Sequence, residues 1–407
     1  MKHLRLTLVV ALLLATVAAD TLTAQGRSLR GGSHLNRRTL RLNPGITKSS
    51  ARLADRSGGI IETLGGSDST EDAVKRALDW FVKKQQRTGH WEETKSPIAH
   101  TGLVMMCFYS YGASHSQEGP YKETVAKALE WLLTKVQPDG RMMDGGRMYD
   151  QTIGTLALAE AYGASRDERI KEPLEKAIKF ICEAQNPRTG GWRYAPYREK
   201  THDGDLSVSG WAIMALASAQ ISGVAVPQDV RLAGLNFLDL VGTGKQGGMF
   251  GYRTPQPNPT MTSVGMYSYE LFAGTQQDDR LEESVAYMMA HLPDEKQENF
   301  YYWYYGTLAL KLYGGEGWEA WNSRMTPLLL KTQEEDGSWS PVGKRAKEEG
   351  RVVTTAWATL CLEVYYRYTP LGKIQTRATR GMNLSLQTKP AGVRTHPTLR
   401  ATAGRPQ

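Results

Sequence analysis

The chain has 407 residues, 40% of them hydrophobic, which is enough for one large folded domain or two small ones. Its three cysteines, Cys107, Cys182 and Cys361, lie far apart in apolar runs with no CxxC spacing, which excludes a disulfide framework and makes buried free thiols the expectation. The net charge of +8 is unevenly spread: residues 20–60 carry +6, residues 373–407 carry +7 and residues 1–19 carry +2, so the middle of the chain is acidic at −7.

Residues 1–19 read as a secretory signal peptide. Lys2 and Arg5 form a basic start, Leu6 to Ala15 is apolar, and Val17-Ala18-Ala19 offers small residues for cleavage, with a second cut after Ala24 as the alternative. The apolar run is shorter than the roughly 20 residues of a membrane span, so the protein is expected to be exported to the periplasm, cell envelope or exterior. Residues 20–68 and 371–407 are basic and rich in Gly, Ser, Thr and Arg, and are expected to be a disordered linker and a disordered tail. Such tails can meet anionic polymers. Export argues against nucleic acid, which leaves a solubilising role or peripheral contact with a membrane or envelope surface.

Between residues 69 and 370 one pattern repeats at roughly 40 to 57 residues. Each unit opens with a charged amphipathic helix, predicted to run from Asp72, Glu123, Glu172, Asp229, Leu281 and Trp318. Trp80, Trp131, Phe180 and Phe237 fall at matching positions in the first four. A glycine-bearing turn with a large anchor follows, as in Gln86 to Trp91, Gln137 to Met142, Gln185 to Trp192, Gln246 to Phe250 and Gln333 to Trp339. Glycine supplies the left-handed helix stop, and the anchor packs back over the helix end. A second, more apolar helix then starts near His100, Asp150, Asp205, Thr262, Tyr301 and Thr354. Six hairpins of this kind predict an all-α protein with an inner apolar and an outer charged ring, an (α/α)6 toroid. An open superhelix of helix pairs is the alternative.

The Gln-x-x-x-Gly-x-Trp-like turns at Gln86 and Gln333, together with the hairpin repeat, resemble the prenyltransferase/squalene-cyclase repeat over about residues 71–368. The resemblance implies a terpene-cyclase-like toroid with an apolar lumen for an isoprenoid or related lipid. In such cyclases an Asp-x-Asp-Asp motif at the start of an inner helix protonates a polyene, and its central Asp is the acid. Asp203-Gly204-Asp205-Leu206 lies in the matching place, so the resemblance implies Asp205 as proton donor and Asp203 as its polarising neighbour. Leu206 replaces the last acid and removes one carboxyl partner. Trp211, Tyr267, Tyr302 and Trp303 would line the lumen and stabilise cations with their ring faces. No metal or cofactor is implied: Val264 and Met266 stand where the protein prenyltransferases of this fold place zinc ligands.

Three other readings stay open from the residues themselves. Asp205 at a helix start is also an ordinary N-cap, with Thr101, Thr152, Ser207, Ser263 and Thr355 expected at equivalent helix starts and Asp150 opposite Asp205. The same toroid without chemistry would serve as a lipid- or protein-binding module of the cell envelope. A polysaccharide-active (α/α)6 enzyme would need two carboxyl groups about 5 to 10 Å apart, with Asp144, Asp150, Asp203 and Asp205 as candidates. Parallel inner helices would also turn their N-termini to one mouth, where Arg193, Arg198, Lys200 and Arg253 could help hold an anionic head group.

Overall fold

The computed structural model describes residues 66–367, apart from 94, 144–146, 275–277 and 296–297. The expected signal peptide, the expected linker up to residue 65 and residues 368–407 lie outside the described residues, as does Asp144. Six outer helices alternate along the chain with six inner ones. The outer set is α1 (Asp68–Lys84), α3 (Lys122–Leu133), α5 (Glu168–Glu183), α7 (Gln228–Val241), α9 (Asp279–Met289) and α11 (Gly315–Thr332). The inner set is α2 (Pro97–Tyr111), α4 (Met148–Ser165), α6 (Leu206–Ile221), α8 (Pro259–Ala273), α10 (Phe300–Tyr313) and α13 (Arg351–Leu362). A short α12 (Gly343–Glu349) precedes α13, and α14 (Val364–Arg367) follows it. A two-residue hairpin of β1 (Gly242–Thr243) and β2 (Met249–Phe250) forms the turn after α7.

Sequence pattern decides which helix goes where. In α5 the buried residues Ile170, Leu174, Ala177, Ile178 and Ile181 make one stripe, and charged residues occupy the other face. In α6 every residue from Leu206 to Ala219 is buried, so that helix needs neighbours on all sides. The inner helices pack in the order α2, α4, α6, α8, α10, α13 and back onto α2, while each outer helix lies against the inner layer. The ring is closed. That excludes the open superhelix and establishes the all-α (α/α)6 toroid.

The turns between outer and inner helices hold neighbouring hairpins together, and three of them share one wiring. Gln85, Gln185 and Gln333 each donate from Nε2 to the carbonyl of their own turn glycine (Gly89, Gly190, Gly337), at 2.9 Å or less. The same nitrogens donate to Thr124, Val230 and Ala73 on the next outer helix, at 2.8 to 3.0 Å. Trp91, Trp192 and Trp339 donate their indole N–H back to Phe81, Ile181 and Leu329 near the end of the preceding helix, at 2.7 to 2.9 Å. Each bond contributes about 1 kcal/mol and also satisfies a carbonyl that burial would otherwise strand. In the last turn the partner is α1, so the bond from Gln333 to Ala73 joins the two ends of the ring. The first turn therefore uses Gln85 and not Gln86, which is exposed.

The hydroxyl register also differs from expectation. The backbone N–H of Trp91, Met142, Trp192, Phe250 and Trp339 donates to the side chains of Thr101, Gln151, Ser209, Thr262 and Thr355, respectively. Thr152 and Ser263 instead bond to carbonyls of their own helices, and Ser207 turns to Asp205. The shift of one or two residues arises because the anchor's amide, rather than the helix end, sets the alignment. All three cysteines are free; Cys107 and Cys361 are buried, and Cys182 is half-buried.

Candidate functional site

Asp205 caps α6. Gly204 ahead of it takes φ +85, a left-handed turn, and a Cβ there would meet the Gly191 Cα at 2.9 Å. The next residue, Asp205, is extended (φ −147, ψ 151), and its N–H donates to the Trp192 carbonyl at 2.8 Å. The carboxyl is thereby fixed to the Gln-to-Trp turn and is fully buried. Oδ1 accepts from the Val208 amide at 3.0 Å and from the Ser207 hydroxyl at 2.7 Å. Oδ2 is buried with no hydrogen-bond partner. Burial raises the Asp205 pKa to about 6, against the pull of the Ser207 and Val208 bonds and of the positive charges on Arg193 and Arg253.

Around this carboxyl stand three phenols. Tyr149 of α4 hydrogen-bonds Ser207 at 2.7 Å, which makes a chain from Tyr149 through Ser207 to Asp205. Tyr194 and Tyr252 share a hydroxyl–hydroxyl bond of 2.6 Å, and the Tyr252 carbonyl accepts from the Leu206 amide. Burial and the Asp205 charge push all three phenols up, so they stay protonated. The guanidinium groups of Arg147 and Arg193 lie over the Tyr194 ring at 5.1 and 5.4 Å. One nitrogen of Arg193, Nη1, is buried without a partner.

A pH test isolates the carboxyl. The folded pKa of Asp205 lies above the ordinary 3.8, so its stabilising share is complete below pH 3.8 and is lost as pH rises to about 6. Asp205→Asn keeps a capping oxygen but cannot ionise. Relative to this variant, the wild type is expected to lose on the order of 3 kcal/mol of unfolding free energy across that window, at about 1.36 kcal/mol per pKa unit. Urea unfolding of both proteins from about pH 4 to 7 measures it; parallel pH profiles would mean that the carboxyl is not buried as described.

The remaining predicted residues separate into three groups. Asp203 is exposed, and among the described residues it is hydrogen-bonded only through its backbone carbonyl, by Thr189. It makes no hydrogen bond to Asp205, whose buried carboxyl is bonded to Ser207 and Val208 instead. Trp211 and Tyr267 do reach the interior of the ring. Trp211 stacks on Tyr304 at 5.9 Å, meets Tyr305 edge-on at 5.5 Å and lies 6.5 Å from Tyr301. Tyr267 meets Tyr305 at 6.3 Å, and Trp357 of α13 meets Tyr301 at 5.5 Å. Because α6 and α10 are not neighbours in the ring, these rings touch across its interior. Tyr302 and Trp303 point elsewhere: Tyr302 packs edge-on to Trp321 of the outer α11 and donates to the His291 carbonyl, and both residues line a cleft outside the ring interior.

Of the loop charges, Arg193 and Arg253 lie near Asp205, whereas Arg198 is engaged on the outer surface with Glu183 and Lys200 is exposed. Asp150 is buried at the start of α4, where it accepts from the Ala99 amide of α2 at 3.0 Å, a bond between hairpins. The residues missed from sequence are Tyr149, Tyr194, Tyr252 and Arg147. Tyr194 and Tyr252 each stand two residues after a turn anchor, Trp192 and Phe250, and that shared spacing was the available signal.

No family model matches the sequence, and no curated protein matches it. Solved structures do. The apo type II terpene cyclase MstE from Scytonema superposes with a TM-score of 0.51 at 16% identity, covering 73% of this chain and 98% of that one. The GH76A alpha-1,6-mannanase from Salegentibacter sp. HEL1_6 gives 0.55 at 12% identity, covering 73% and 99%. An inactive variant of that mannanase in complex with alpha-1,6-mannotriose gives 0.54 at 10%, covering 74% and 99%. At these identities the likeness establishes the fold alone: the chain is an (α/α)6 toroid, an architecture shared by a terpene cyclase and a mannanase.

Proposed function

We propose that this protein is a binding toroid of the cell envelope that takes the anionic head group of a lipid or isoprenoid at the N-terminal mouth of its inner helices. One observation carries the reading: the rings of Trp211, Tyr301, Tyr304 and Tyr305 meet across the ring interior, so at that level the space a long polyene would thread is taken by side chains. What remains at the mouth is Asp205, its three phenols, and Arg147, Arg193 and Arg253. The converging helix N-termini and the arginines favour an anion, and the half-buried phenols of Tyr194 and Tyr252 can donate to it.

Isothermal titration of the full chain with farnesyl phosphate and with farnesol tests this. Farnesyl phosphate is expected to bind at least about tenfold more tightly, the equivalent of about 1.4 kcal/mol. The double variant Arg193→Gln, Arg253→Gln should remove the difference. Equal affinities in the wild type, or no binding of either probe, would reject an anion site.

A second reading rests on the carboxyl itself. With its unpartnered Oδ2 and a pKa raised to about 6, Asp205 has the form of a buried general acid. Alkene protonation needs a much stronger acid than this, and Leu206 and the exposed Asp203 supply no second carboxyl to polarise it. Mass spectrometry of the same incubations, extended to squalene, separates the readings. Cyclised product from the wild type but not from Asp205→Asn would establish a cyclase in place of the binding toroid.

A further inference from the structure

The two arginines that would hold the anion already serve another negative charge. Arg193 and Arg253 both act on the Asp205 carboxyl, which is fully buried. Ser207 and Val208 bond to its Oδ1, while its Oδ2 and Arg193 Nη1 are buried without hydrogen-bond partners. An ionised Asp205 is thus held partly by hydrogen bonds and partly by the field of the arginines. An anion at the mouth draws on the same field. The two negative charges oppose each other, and the burial of one of them limits screening by salt.

The other groups around the carboxyl do not relieve this competition. Tyr149 from α4, and Tyr194 and Tyr252 from the flanking turns, are pushed up by burial and by the Asp205 charge, so they stay neutral. Tyr301 from α10 donates to the Ser207 carbonyl at 3.4 Å. Arg147 and Arg193 lie over the Tyr194 ring and keep their charge. Asp203 is exposed. His202 is half-buried; its Nδ1 accepts from the Gly204 amide at 3.2 Å, and burial pushes its pKa down from 6.5. Asp205, raised to about 6 by burial, takes its proton in the same range. That proton frees Arg193 and Arg253 for the anion.

We propose that anion binding at this mouth is coupled to proton uptake by Asp205, so that the toroid holds an anionic ligand more tightly in acid and less tightly as the pH rises. The proposal rests on the anion site described above and adds its regulation. Linkage makes the effect reciprocal: a bound anion raises the affinity of Asp205 for its proton by the same factor. Ser207 sets the midpoint, because its 2.7 Å bond favours the ionised form.

Isothermal titration of the full chain with farnesyl phosphate, in the wild type and in Asp205→Asn, tests this from about pH 5 to 8. The phosphate titrates too, but equally for both proteins, so the ratio of their affinities isolates the carboxyl. The affinities are expected to match in acid, and the variant to bind at least about fivefold more tightly at the alkaline end, the low end of ordinary coupling between sites. Ser207→Ala keeps the capping carboxyl and should move the transition to higher pH, whereas His202→Gln should leave it in place. A ratio that is the same at every pH, or a midpoint unmoved in Ser207→Ala, would overturn the coupling and leave the anion site standing. A transition lost in His202→Gln and kept in Asp205→Asn would assign the proton to the histidine and overturn it as well. No binding at any pH, by protein whose near-ultraviolet dichroism shows it folded, would reject the coupling and the anion site together.

Discussion

Gly337→Ala is expected to cost the toroid about 3 to 5 kcal/mol, in the range of the large single-residue effects. Gly337 takes φ +93, and a Cβ built there would lie 2.4 Å from the Arg76 carbonyl oxygen of α1, closer than any real Cβ contact. The left-handed backbone alone costs about 1 to 2 kcal/mol for a non-glycine residue. The rest comes from displacement. The turn must lift off α1, and with it go the bond from Gln333 to Ala73 (2.8 Å) and the bond from the Trp80 indole to Asp336 (3.1 Å), each contributing about 1 kcal/mol. Gly343 is the control, because its φ is +80 and nothing lies within 4 Å of a built Cβ. Gly343→Ala should show the backbone strain alone. Equal losses for the two variants in urea unfolding would mean that the last turn does not hold the ring shut.

Trp211→Ala should cost about 3 to 5 kcal/mol, the usual range for emptying a buried Trp or Phe site. Trp211 is 1% exposed and touches Tyr301, Tyr304 and Tyr305 from across the ring, so no adjacent helix can slide in to fill the gap. The cavity left behind is walled by the rings of those tyrosines, which makes it a host for benzene. Two measurements check this: the drop in thermal stability, and its partial recovery when benzene is added to the variant but not to the wild type. A loss below about 1 kcal/mol would show that the rings do not fill the interior as described. A variant that binds farnesol where the wild type does not would show that the wild-type rings are what bars a hydrocarbon chain.

The architecture was legible because it is written in periodicity. The charged stripe of α5 and the unbroken apolar run of α6 differ in composition, and that difference alone assigns them to the outer and inner layers. Closure was legible in part, since Gln333, Gly337 and Trp339 repeat the pattern of Gln185, Gly190 and Trp192. What the pattern could not show was the contact of that last turn with α1, about 260 residues away in sequence. The choice of Gln86 over Gln85 was an error of counting along the motif: Gln85 stands four residues before Gly89, as Gln333 does before Gly337, whereas Gln86 stands only three.

The site was less legible than the fold. Asp205 was found because Asp203-Gly204-Asp205 resembles the acid motif of the cyclases, and its place at a helix start made a cap and an acid indistinguishable until burial and the unpartnered Oδ2 were seen. Asp203 was misplaced because two residues of spacing say nothing once a left-handed glycine lies between them. Tyr302 and Trp303 were assigned to the lumen with their neighbours, yet along a helix consecutive residues point about 100° apart. Tyr301, Tyr304 and Tyr305 take the inward face, which leaves Tyr302 and Trp303 for the outer layer and the cleft.

Closure by the Gln333 turn also bears on how such a protein can change over time. An open array of helix pairs can gain or shed a repeat at either end and merely become longer or shorter. Here the sixth turn must land on the first helix, so a seventh hairpin would find no seat and the loss of one would leave a gap. The number of hairpins is fixed by geometry, while the place where the chain begins is not. The break between α14 and α1 falls where, in every other hairpin, an inner helix passes the chain to the next outer one. A gene rearranged to begin at α3 or α7 would encode the same closed ring.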